Sequence, residues 1–569
     1  MRLEEQLWIR RLFPLAAAAF AAHAAAQTPI ATLTGESAYD RFGSAIAATG
    51  DLDGDGVGDF AVGAPGRAGA GAVYVFSGAT HALLRRLDDF ATGDFGGHSL
   101  ANAGDVDGDG VNDLYVGAPR TRPWAPFDVH GAGYVALYSG ASGLRIARHD
   151  GAASGDRFGW SLATGGDLDG DGVSELWSGA PGANAFSGEL RVLSGLTGAT
   201  LRVHNGNPAL AERFGWSVAR MPDQNGDGKT EYAAGAPAVG LAVAGWTRAF
   251  DGASGALLWE RSGTNTNGDE FGWALARGGD FNLDGRADLL ASGRRAGCDA
   301  CEGRGYVLGL NGLTGATIFT KTGSFTMSPL GLSLVSLGDI NADGREEWAA
   351  SQTGADDFNG GSHFTLVASG NLGAAIAQIQ PSGYLDSFGA ALASFDANGD
   401  GLRDLCIGAP RDDDAGTDSG SVFVLTVVRT PVSYCTSQTN SLGCVPLVTG
   451  QGAASASSAA AFTITGAPLI NQVSALLFYG FAPQSTPFLG GRLCVRPPLH
   501  RTAVANTGGS TGTVNCSGAF AIDFNDFIQS HVDPALVAGE EVYAQVWSRD
   551  AASASTTSLS NALGFQITP

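Results

Sequence analysis

Positive charge is scarce in this sequence of 569 residues, which has 33 Lys and Arg against 56 Asp and Glu and a formal net charge of −23. A nucleic-acid partner requires a basic surface that displaces the counterions of the phosphates. The shortage of cationic residues therefore argues against nucleic acid and favours cations as partners. Charged residues amount to only 16%, whereas Gly occupies 85 positions, which indicates tight turns between short strands. The composition predicts an all-β protein.

Long apolar runs are also lacking, with one exception at the N-terminus. Arg10 and Arg11 precede the apolar run 12–22, and three alanines at 24–26 precede Gln27. This pattern predicts a secretory signal peptide over 1–26, cut after Ala26. The alternative is an uncleaved membrane anchor, but the run is shorter than the roughly 20 residues that span a bilayer. We expect a secreted, extracellular or cell-surface protein with no transmembrane segment after cleavage.

Cysteines are few and odd in number, with seven in the chain. An oxidising compartment would give three disulfides and one remaining thiol. Sequence proximity favours the disulfide pairs Cys298–Cys301, Cys435–Cys444 and Cys494–Cys516. Cys406 is then left over, in a predicted strand.

An internal repeat dominates the chain up to about residue 430. A Phe-Gly pair begins each unit, with Leu-Gly in the sixth, at Phe42, Phe95, Phe158, Phe214, Phe271, Leu330 and Phe388. A Gly-Ala-Pro segment closes five units, at Gly63, Gly117, Gly179, Gly235 and Gly408. Units five and six have Ser292-Gly293-Arg294 and Ser351-Gln352-Thr353 instead. The sequence thus contains seven units of one design.

The period of the repeat indicates its architecture. An acidic loop lies inside each unit, and successive loops begin 54, 62, 56, 57, 59 and 57 residues apart. Short β segments flank each loop and two more follow, so each unit has four strands, as a propeller blade does. Unit seven lacks its fourth strand, and the stretch 30–35 resembles one. We predict a seven-bladed β-propeller in which this N-terminal strand completes blade seven, since closure removes two open edges.

The acidic loops predict calcium sites. Oxygen-bearing side chains recur at loop positions 1, 3, 5 and 9, Gly occupies position 6, and position 7 would offer a backbone carbonyl, as in the first nine positions of an EF-hand loop. The predicted ligands are Asp51, Asp53, Asp55, Val57, Asp59; Asp105, Asp107, Asp109, Val111, Asp113; Asp167, Asp169, Asp171, Val173, Glu175; Asp223, Asn225, Asp227, Lys229, Glu231; Asp280, Asn282, Asp284, Arg286, Asp288; Asp339, Asn341, Asp343, Arg345, Glu347; and Asp396, Asn398, Asp400, Leu402, Asp404. We expect up to seven Ca²⁺ ions with a structural role.

Together, the Phe-Gly, acidic-loop and Gly-Ala-Pro elements resemble the FG-GAP repeat of the integrin α-subunit N-terminal propeller, over roughly 70% of the chain. The resemblance implies a seven-bladed propeller with calcium in loops on its lower face and ligands on the opposite face. That face would carry the loops after Gly-Ala-Pro and before Phe-Gly. Its candidate ligand-binding residues are Trp124, Phe127, His130, Arg294 and Arg295, since exposed aromatic and Arg side chains are common interface anchors. The alternative is that Trp124 and Phe127 tuck under their own loop.

The tail is a separate unit. Alternating stretches at 474–479, 541–547 and 562–567 predict a small β-sandwich of six to eight strands. The expected division is therefore a signal peptide at 1–26, a propeller at 27–430 and a β-sandwich-like domain at 431–569, similar to C-terminal modules of secreted bacterial proteins.

These features favour a calcium-binding adhesion, ligand-binding or scaffold module over an enzyme. Ser99 lies in a segment that faintly resembles a nucleophile elbow, but it aligns with ordinary first-strand residues of other units, so no catalytic residue is predicted. The expected partner beside calcium is an extracellular protein or glycan. The alternative is a calcium-dependent polysaccharide lyase, or another glycan-active enzyme, that uses the ligand face of the propeller.

Overall fold

Four strands follow each Phe-Gly segment in the order that the repeat predicts. The computed structural model describes residues 29–122, 125–129, 131–241, 243–264, 268–294, 303–324, 329–340, 344–352, 364–370, 373, 375–380, 387–399, 402–426 and 431–568. Seven four-stranded antiparallel sheets form within them, and we call these blades one to seven.

The first strand, β1 (Pro29–Thr34), precedes blade one. Blade one contains β2 (Ala45–Gly50), β3 (Asp59–Ala64), β4 (Ala72–Phe76) and β5 (Leu83–Leu87). Blade two contains β6 (Ser99–Gly104), β7 (Asp113–Ala118), β10 (Tyr134–Tyr138) and β11 (Arg145–Asp150), with a hairpin of β8 (Thr121–Arg122) and β9 (Ala125–Val129) inserted. Blade three contains β12 (Ser161–Thr164), β13 (Leu176–Ala180), β14 (Glu189–Leu193) and β15 (Thr200–Asn205). Short helical turns lie at Arg67–Gly69 and α1 (Ala183–Phe186).

The later blades repeat the design. Blade four contains β16 (Ser217–Met221), β17 (Glu231–Ala236), β18 (Trp246–Phe250) and β19 (Leu257–Ser262). Blade five contains β20 (Phe271–Arg277), β21 (Leu289–Gly293), β22 (Tyr306–Leu310) and β23 (Thr317–Thr322). Blade six contains β24 (Leu330–Gly338), β25 (Glu347–Gln352), β26 (Phe364–Ala368) and β27 (Ala375–Ile379). Blade seven contains β28 (Ala391–Phe395), β29 (Asp404–Ala409) and β30 (Ser421–Leu425).

The N-terminal strand completes blade seven, as predicted. β1 pairs antiparallel with β30, from Pro29 opposite Leu425 to Thr34 opposite Ser421. The first strands of successive blades contact one another around the circle, and β28 contacts β2. The chain therefore forms a closed propeller in which main-chain hydrogen bonds join the N-terminal strand to the last blade.

The core of the propeller lies between neighbouring blades. The Phe of each Phe-Gly pair is buried, and Phe42 packs with Tyr74 of its own blade and Val424 of blade seven. Five further clusters join blades one and two, two and three, three and four, four and five, and five and six. A blade buries its apolar faces only against its neighbours, which is why the repeat stabilises a ring and not a lone sheet.

The repeated glycines lie where backbones of neighbouring blades meet. Gly43 has φ of +88°, and a Cβ there would lie 2.6 Å from the carbonyl oxygen of Ser421. A Cβ on Gly63, which opens Gly-Ala-Pro, would lie 1.9 Å from the carbonyl oxygen of Gly97 in the next blade. Both positions exclude any side chain because the approach is too close.

Blade five shows how the Gly-Ala-Pro segment is replaced. In blade three, Ser161 of the first strand donates its hydroxyl hydrogen to the Gly215 carbonyl of blade four. Blade five has Ala274 at the equivalent place, and Ser292 of the second strand donates to the Gly331 carbonyl of blade six instead, at 2.7 Å. The hydrogen bond between the blades is preserved by a hydroxyl that comes from the neighbouring strand.

The chain divides into two compact units, and the second consists mainly of Val428–Pro569. Its strands are β31 (Val432–Tyr434), β32 (Leu447–Gln451), β33 (Thr463–Leu469), β34 (Ser474–Gly480), β35 (Pro483–Phe488), β36 (Gly491–Val495), β37 (His500–Arg501), β38 (Ala505–Asn506), β39 (Gly518–Asp523), β40 (Glu541–Arg549) and β41 (Thr557–Gln566), with one helix, α2 (Phe524–Gln529). They form sheets of six, three and two strands. A larger buried cluster includes Phe462, Phe524 and Phe565, and a smaller one includes Leu493 and Leu559. The strand count exceeds the expected six to eight because three strands are only two or three residues long and show no alternation in sequence.

The predicted pairing of the tail cysteines is wrong. Cys435 bonds to Cys494, and Cys444 bonds to Cys516. Cys435 follows β31 and Cys494 lies in β36, so folding brings together cysteines that are 59 residues apart. Cys406 is a buried free thiol in β29, as expected, whereas Cys298 and Cys301 lie outside the described residues. Among the described residues, no helix has the length and apolar character needed to cross a membrane.

Candidate metal centres and central cavity

Each acidic loop is a hairpin that joins the first two strands of its blade. In blade one, Asp51 follows β2 and Asp59 begins β3. Oxygens of Asp51, Asp53 and Asp59 all lie within 4.8 Å of one another. Equivalent groups form in the next three blades, at Asp105, Asp107 and Asp113; Asp167, Asp169 and Glu175; and Asp223, Asp227 and Glu231. The structure thus brings together positions 1, 3 and 9 in three loops and positions 1, 5 and 9 in the fourth.

The carboxylate at position 9 forms the buried side of each group. Asp59 is fully buried, and its two oxygens accept hydrogen bonds from the backbone N–H groups of Leu52 at 2.7 Å and Gly78 at 2.9 Å. Burial raises the pKa of the Asp59 carboxyl, and these backbone hydrogen bonds oppose the rise. The arrangement fixes this carboxylate from behind while the other two acids of the group remain exposed.

Glu231 in blade four carries an oxygen without a hydrogen-bond partner. Its Oε2 accepts from the Gln224 backbone N–H at 2.7 Å, whereas Oε1 is buried and has no partner in the described part of the chain. Burial raises the pKa of this carboxyl to about 7. A buried carboxylate oxygen is costly when unpaired, and a cation held with Asp223 and Asp227 would satisfy it.

The carboxylate at position 1 organises the loop itself. Asp51 accepts hydrogen bonds from the N–H groups of Gly54 at 2.7 Å and Gly56 at 2.9 Å. Gly56, at position 6, has φ of +89° and open space around it. Gly occupies position 6 in all seven loops of this chain. The positive φ explains this, because no neighbouring atom would exclude a side chain from Gly56. The same bonds, led by that from Gly172, lower the pKa of the Asp167 carboxyl in blade three.

In blades one to three the carboxylate at position 5 lies outside the group formed by positions 1, 3 and 9. Asp55 is exposed, and its Oδ1 accepts from the Val57 backbone N–H at 2.8 Å. Asp109 and Asp171 make the same contact with Val111 and Val173. These acids shape the turn and do not belong to the groups at positions 1, 3 and 9.

Cationic side chains at position 7 reach the preceding blade. The Lys229 ammonium donates to the Asp167 backbone carbonyl at 2.5 Å, and Arg345 Nε donates to the Phe281 carbonyl at 2.9 Å. Both side chains therefore link neighbouring acidic loops.

In the last three loops, the described residues do not include a group of three converging carboxylates. In blade five, where all four side-chain positions are described, the carboxylates of Asp280, Asp284 and Asp288 do not form such a group. Burial nevertheless raises the pKa of the Asp288 carboxyl to about 7. Asn341 and Asp343 of blade six and Asp400 of blade seven lie outside the described residues. In those two loops Asp339 accepts from Gly344 N–H, and Asp396 accepts from Gly399 N–H.

The chemistry of the four groups fits a hard divalent cation. Their ligand atoms are carboxylate oxygens, and no thiol or imidazole belongs to any group. Oxygen donors of this kind suit Ca²⁺ and Mg²⁺ better than softer transition metals. These residues could therefore hold such an ion.

The loops predicted to bind a ligand are only partly described. Trp124, His130 and Arg295 lie outside the described residues, and Phe127 lies in β9 of the hairpin inserted in blade two. The Arg294 guanidinium lies over the Trp273 ring, 4.1 Å from its centroid, and its Nε is 3.8 Å from the buried Glu270. Of the predicted ligand residues, Arg294 is therefore the one whose surroundings are known.

A cavity of about 820 Å³ lies at the axis of the propeller. It is lined by the starts of the first strands and by residues after the second strands, such as Arg294 and Arg411. Each first strand runs from this end of the blade to the acidic loop. The cavity therefore opens on the face opposite the acidic loops.

An arc of aromatic rings lines one side of this cavity. His98, Trp160, Trp216 and Trp273 follow the Phe-Gly segments of blades two to five. The centroids of neighbouring rings are 4.6, 4.8 and 4.8 Å apart. The sequence analysis missed this arc. The three tryptophans each stand two residues after the Phe of Phe-Gly, so aligning the repeats would have found them, whereas His98 stands three residues after Phe95 and joins them only in the folded chain.

Comparison with known proteins identifies the repeat. FG-GAP repeats match residues 42–76, 96–138, 158–193 and 388–425. Human integrin alpha-IIb is 46% identical over 117 residues, which cover 19% of this chain and 10% of that protein. Chicken integrin alpha-V is 29% identical over 229 residues, covering 38% of this chain and 22% of that protein. The matched segments are thus a small part of these integrins. The solved structure described as "Structure of Dos1 propeller" covers 70% of this chain and 96% of its own, with 12% identity and a TM-score of 0.40.

Proposed function

We propose that this integrin-α-like FG-GAP repeat protein is a secreted or cell-surface binding module whose propeller is stabilised by Ca²⁺. The proposal assigns residues 1–26 to a signal peptide, 27–430 to the propeller and 431–569 to a β-sandwich-like domain. Integrin α relatives support an adhesion or ligand-binding role and an extracellular location. The protein acts by binding and not by catalysis.

The recurrence of one acidic group in four blades is the observation that carries the proposal. Each group crowds three carboxylates, one of them buried, so the metal-free loops are destabilised by repulsion and desolvation. Ca²⁺ would offset both costs. We extend the sites to all seven loops because positions 1, 3, 5 and 9 carry oxygen-bearing side chains in each, with 24 carboxylates in total.

The role of Ca²⁺ is structural in this proposal. Protein groups fill the ligand positions, and the loops lie at the opposite end of the blades from the central cavity. If each site has the millimolar-range affinity of extracellular modules and Ca²⁺ is about tenfold above it, one site contributes roughly 1.4 kcal/mol to folding. Several sites together would then contribute much of the stability of the propeller.

Thermal unfolding of the mature chain tests the calcium role. We expect the Tm to rise with Ca²⁺ and to fall when a chelator is added, with Mg²⁺ less effective because it demands a stricter octahedral geometry. An unchanged Tm in chelator would contradict the structural role.

An array of extracellular glycans and proteins, probed with the mature chain in Ca²⁺ and in chelator, tests the binding role. Saturable binding without turnover is the expected result. Cleavage of an acidic polysaccharide would instead favour the lyase.

A further inference from the structure

The central cavity combines positive charge with flat aromatic surface. Arg41, Arg294 and Arg411 line it, and none of the described residues that line it is Asp or Glu. The whole chain has a net charge of −23, so this local excess of arginine is contrary to the composition. A cavity lined by one sign of charge within low-dielectric walls concentrates ligands of the opposite sign.

Arg41 and Arg294 are held in place by neighbouring side chains. Arg41 forms an ion pair with Asp418 at 2.6 Å. Burial lowers the pKa of the Arg41 guanidinium, the Asp418 charge opposes this, and the nearby charge of Arg411 adds to the lowering. Arg294 is held over the Trp273 ring. An anion bound among these groups would lessen the repulsion between like charges, and each planar guanidinium can offer a bidentate contact to a carboxylate or sulfate.

The aromatic arc occupies only part of the circumference. Trp160, Trp216 and Trp273 come from blades three, four and five, whereas blades six, seven and one present Leu332, Ala390 and Ser44 at the same position. The smaller side chains leave room opposite the rings. The volume of about 820 Å³ falls within the range of about 300–1,000 Å³ that is usual for small-ligand sites.

We propose that this cavity binds an acidic oligosaccharide, with its anionic groups on Arg294 and Arg411 and the apolar face of a sugar ring against the tryptophan arc. The inference rests on the proposed binding function and names its ligand class and site. An acidic sugar carries both features that the cavity presents, an anionic group and a flat apolar face. An acidic peptide side chain supplies the first without the second, and a neutral sugar supplies the second without the first.

Binding by titration calorimetry in Ca²⁺ tests the inference, with the full mature chain and four probes of similar length. The probes are a galacturonate hexamer, a chondroitin sulfate hexasaccharide, maltohexaose and hexaglutamate. We expect at least one acidic sugar to bind at least tenfold more tightly than maltohexaose and hexaglutamate, and to weaken as salt is added. Binding of the galacturonate alone would identify carboxylate as the preferred anion, and binding of the chondroitin sulfate alone would identify sulfate. Equal or tighter binding of maltohexaose or hexaglutamate, or no binding of either acidic sugar, would overturn the inference.

Three substitutions locate the site. Arg294→Gln and Arg411→Gln remove one cation each, and Trp216→Leu replaces a ring with the residue type that blade six carries at that position. We expect each to weaken binding of the acidic sugar about tenfold or more. Arg86→Gln is the matched control, because Arg86 lies on the outer strand β5 and pairs there with Asp88 at 2.8 Å. Its affinity should equal that of the wild type.

Failure of this inference differs from failure of the proposed function. If the array identifies another ligand, and the three substitutions leave its affinity unchanged in chains with unaltered Tm, the cavity is not the site but the protein remains a binding module. If no ligand binds and Ca²⁺ leaves the Tm unchanged, the proposed function itself fails.

Discussion

At the scale of single residues, the ninth position of each acidic loop shows how the fold prepares a cation site. Asp59 is buried, and its carboxylate accepts hydrogen bonds from two backbone N–H groups. These bonds compensate part of the free energy that burying the charge costs. A buried charge is tolerated when it is hydrogen-bonded and paired. The N–H groups provide the first condition, and we propose that the ion provides the second.

Asp59→Asn should remove one ion from the propeller. The amide keeps the size of the side chain but loses the charge of the buried ligand in the group with Asp51 and Asp53. We expect the number of bound Ca²⁺ ions per chain, measured by equilibrium dialysis, to fall by one. The free energy of unfolding in chelator should change by no more than about 1–3 kcal/mol, since one backbone donor loses its acceptor.

Asp55→Asn is the control for this substitution. Asp55 lies outside the group of blade one and accepts only the turn hydrogen bond from Val57. Its replacement should leave the number of bound ions unchanged, because the three carboxylates of the group remain. Loss of one ion from Asp55→Asn and none from Asp59→Asn would show that the group at positions 1, 3 and 9 is not the site.

His98 gives a prediction about pH. Burial at the wall of the central cavity lowers the pKa of its imidazole to about 4, whereas the unfolded chain has the ordinary value near 6.5. Between these values the unfolded state binds more protons, so stability should fall as the pH decreases from about 6.5 to about 4. His98→Phe keeps a ring against Trp160 but cannot bind a proton. Its free energy of unfolding should therefore fall less over this range than that of the wild type, by a difference of at most about 3 kcal/mol. Parallel denaturation curves for both proteins across this range would contradict the prediction.

The sequence shows which loop residues can offer an oxygen to a cation, but it does not show which of these oxygens lie close together. Spacing marks positions 1, 3, 5 and 9 as oxygen donors. Only the path of the loop decides that Asp53 joins the group and Asp55 turns back to cap Val57. The same limit explains the disulfides, since Cys435 and Cys494 meet through strand packing and not through sequence proximity.

At the scale of elements, β1 closes the ring, because it comes from the N-terminus and pairs with the last blade. It supplies the outer strand of blade seven, while Ala31 and Leu33 pack against the cluster shared by blades seven and one. β1 thus covers the edge of β30, which would otherwise be free.

Deleting residues 29–34 should lower the Tm of the propeller strongly, because blade seven loses a strand and β30 gains an exposed edge. Leu33→Ala is the milder test, with an expected loss of about 1–2 kcal/mol from its half-buried side chain. Thr32→Ala, at an exposed position of the same strand, should change stability by less than about 0.5 kcal/mol. Equal Tm values for the deletion variant and the wild type would contradict the role of β1.

The blade pattern was largely predictable from the repeat. Phe-Gly, the acidic loop and Gly-Ala-Pro mark fixed points of a blade, so strand order and the completing role of β1 follow from their spacing. Ser161 of a first strand makes the hydrogen bond to the next blade in blade three, and Ser292 of a second strand makes it in blade five. This replacement was not predictable from the sequence, because the hydrogen bond joins residues of different blades.

At the scale of the whole molecule, the two compact units have separate means of stabilisation. The acidic groups lie in the propeller, and both described disulfides lie in the C-terminal unit. The two buried clusters of the C-terminal unit consist of its own residues.

Calorimetry should therefore resolve two transitions with different sensitivities. A chelator should lower the Tm of the propeller transition. A reductant should lower the Tm of the C-terminal unit, because each of its two disulfides typically contributes roughly 2–4 kcal/mol to the free energy of unfolding. The described cysteine of the propeller, Cys406, is a free thiol, so the disulfides Cys435–Cys494 and Cys444–Cys516 are the expected targets. A single transition that shifts equally with both reagents would contradict this division.

The sequence by itself determined the repeat, the strands of each blade, the acidic loops and the excess of negative charge. These are local features, because hydrogen-bonded turns and alternating strands are encoded by neighbouring residues. Only the tertiary structure decided which carboxylates converge, which cysteines pair, and that arginines and tryptophans from separate blades meet around one cavity. The paired cysteines are 59 and 72 residues apart, and the arginines and tryptophans around the cavity come from separate blades, so the packing of distant segments sets these distances. The carboxylates of one acidic loop are at most eight positions apart, and the path of the loop decides which of them converge.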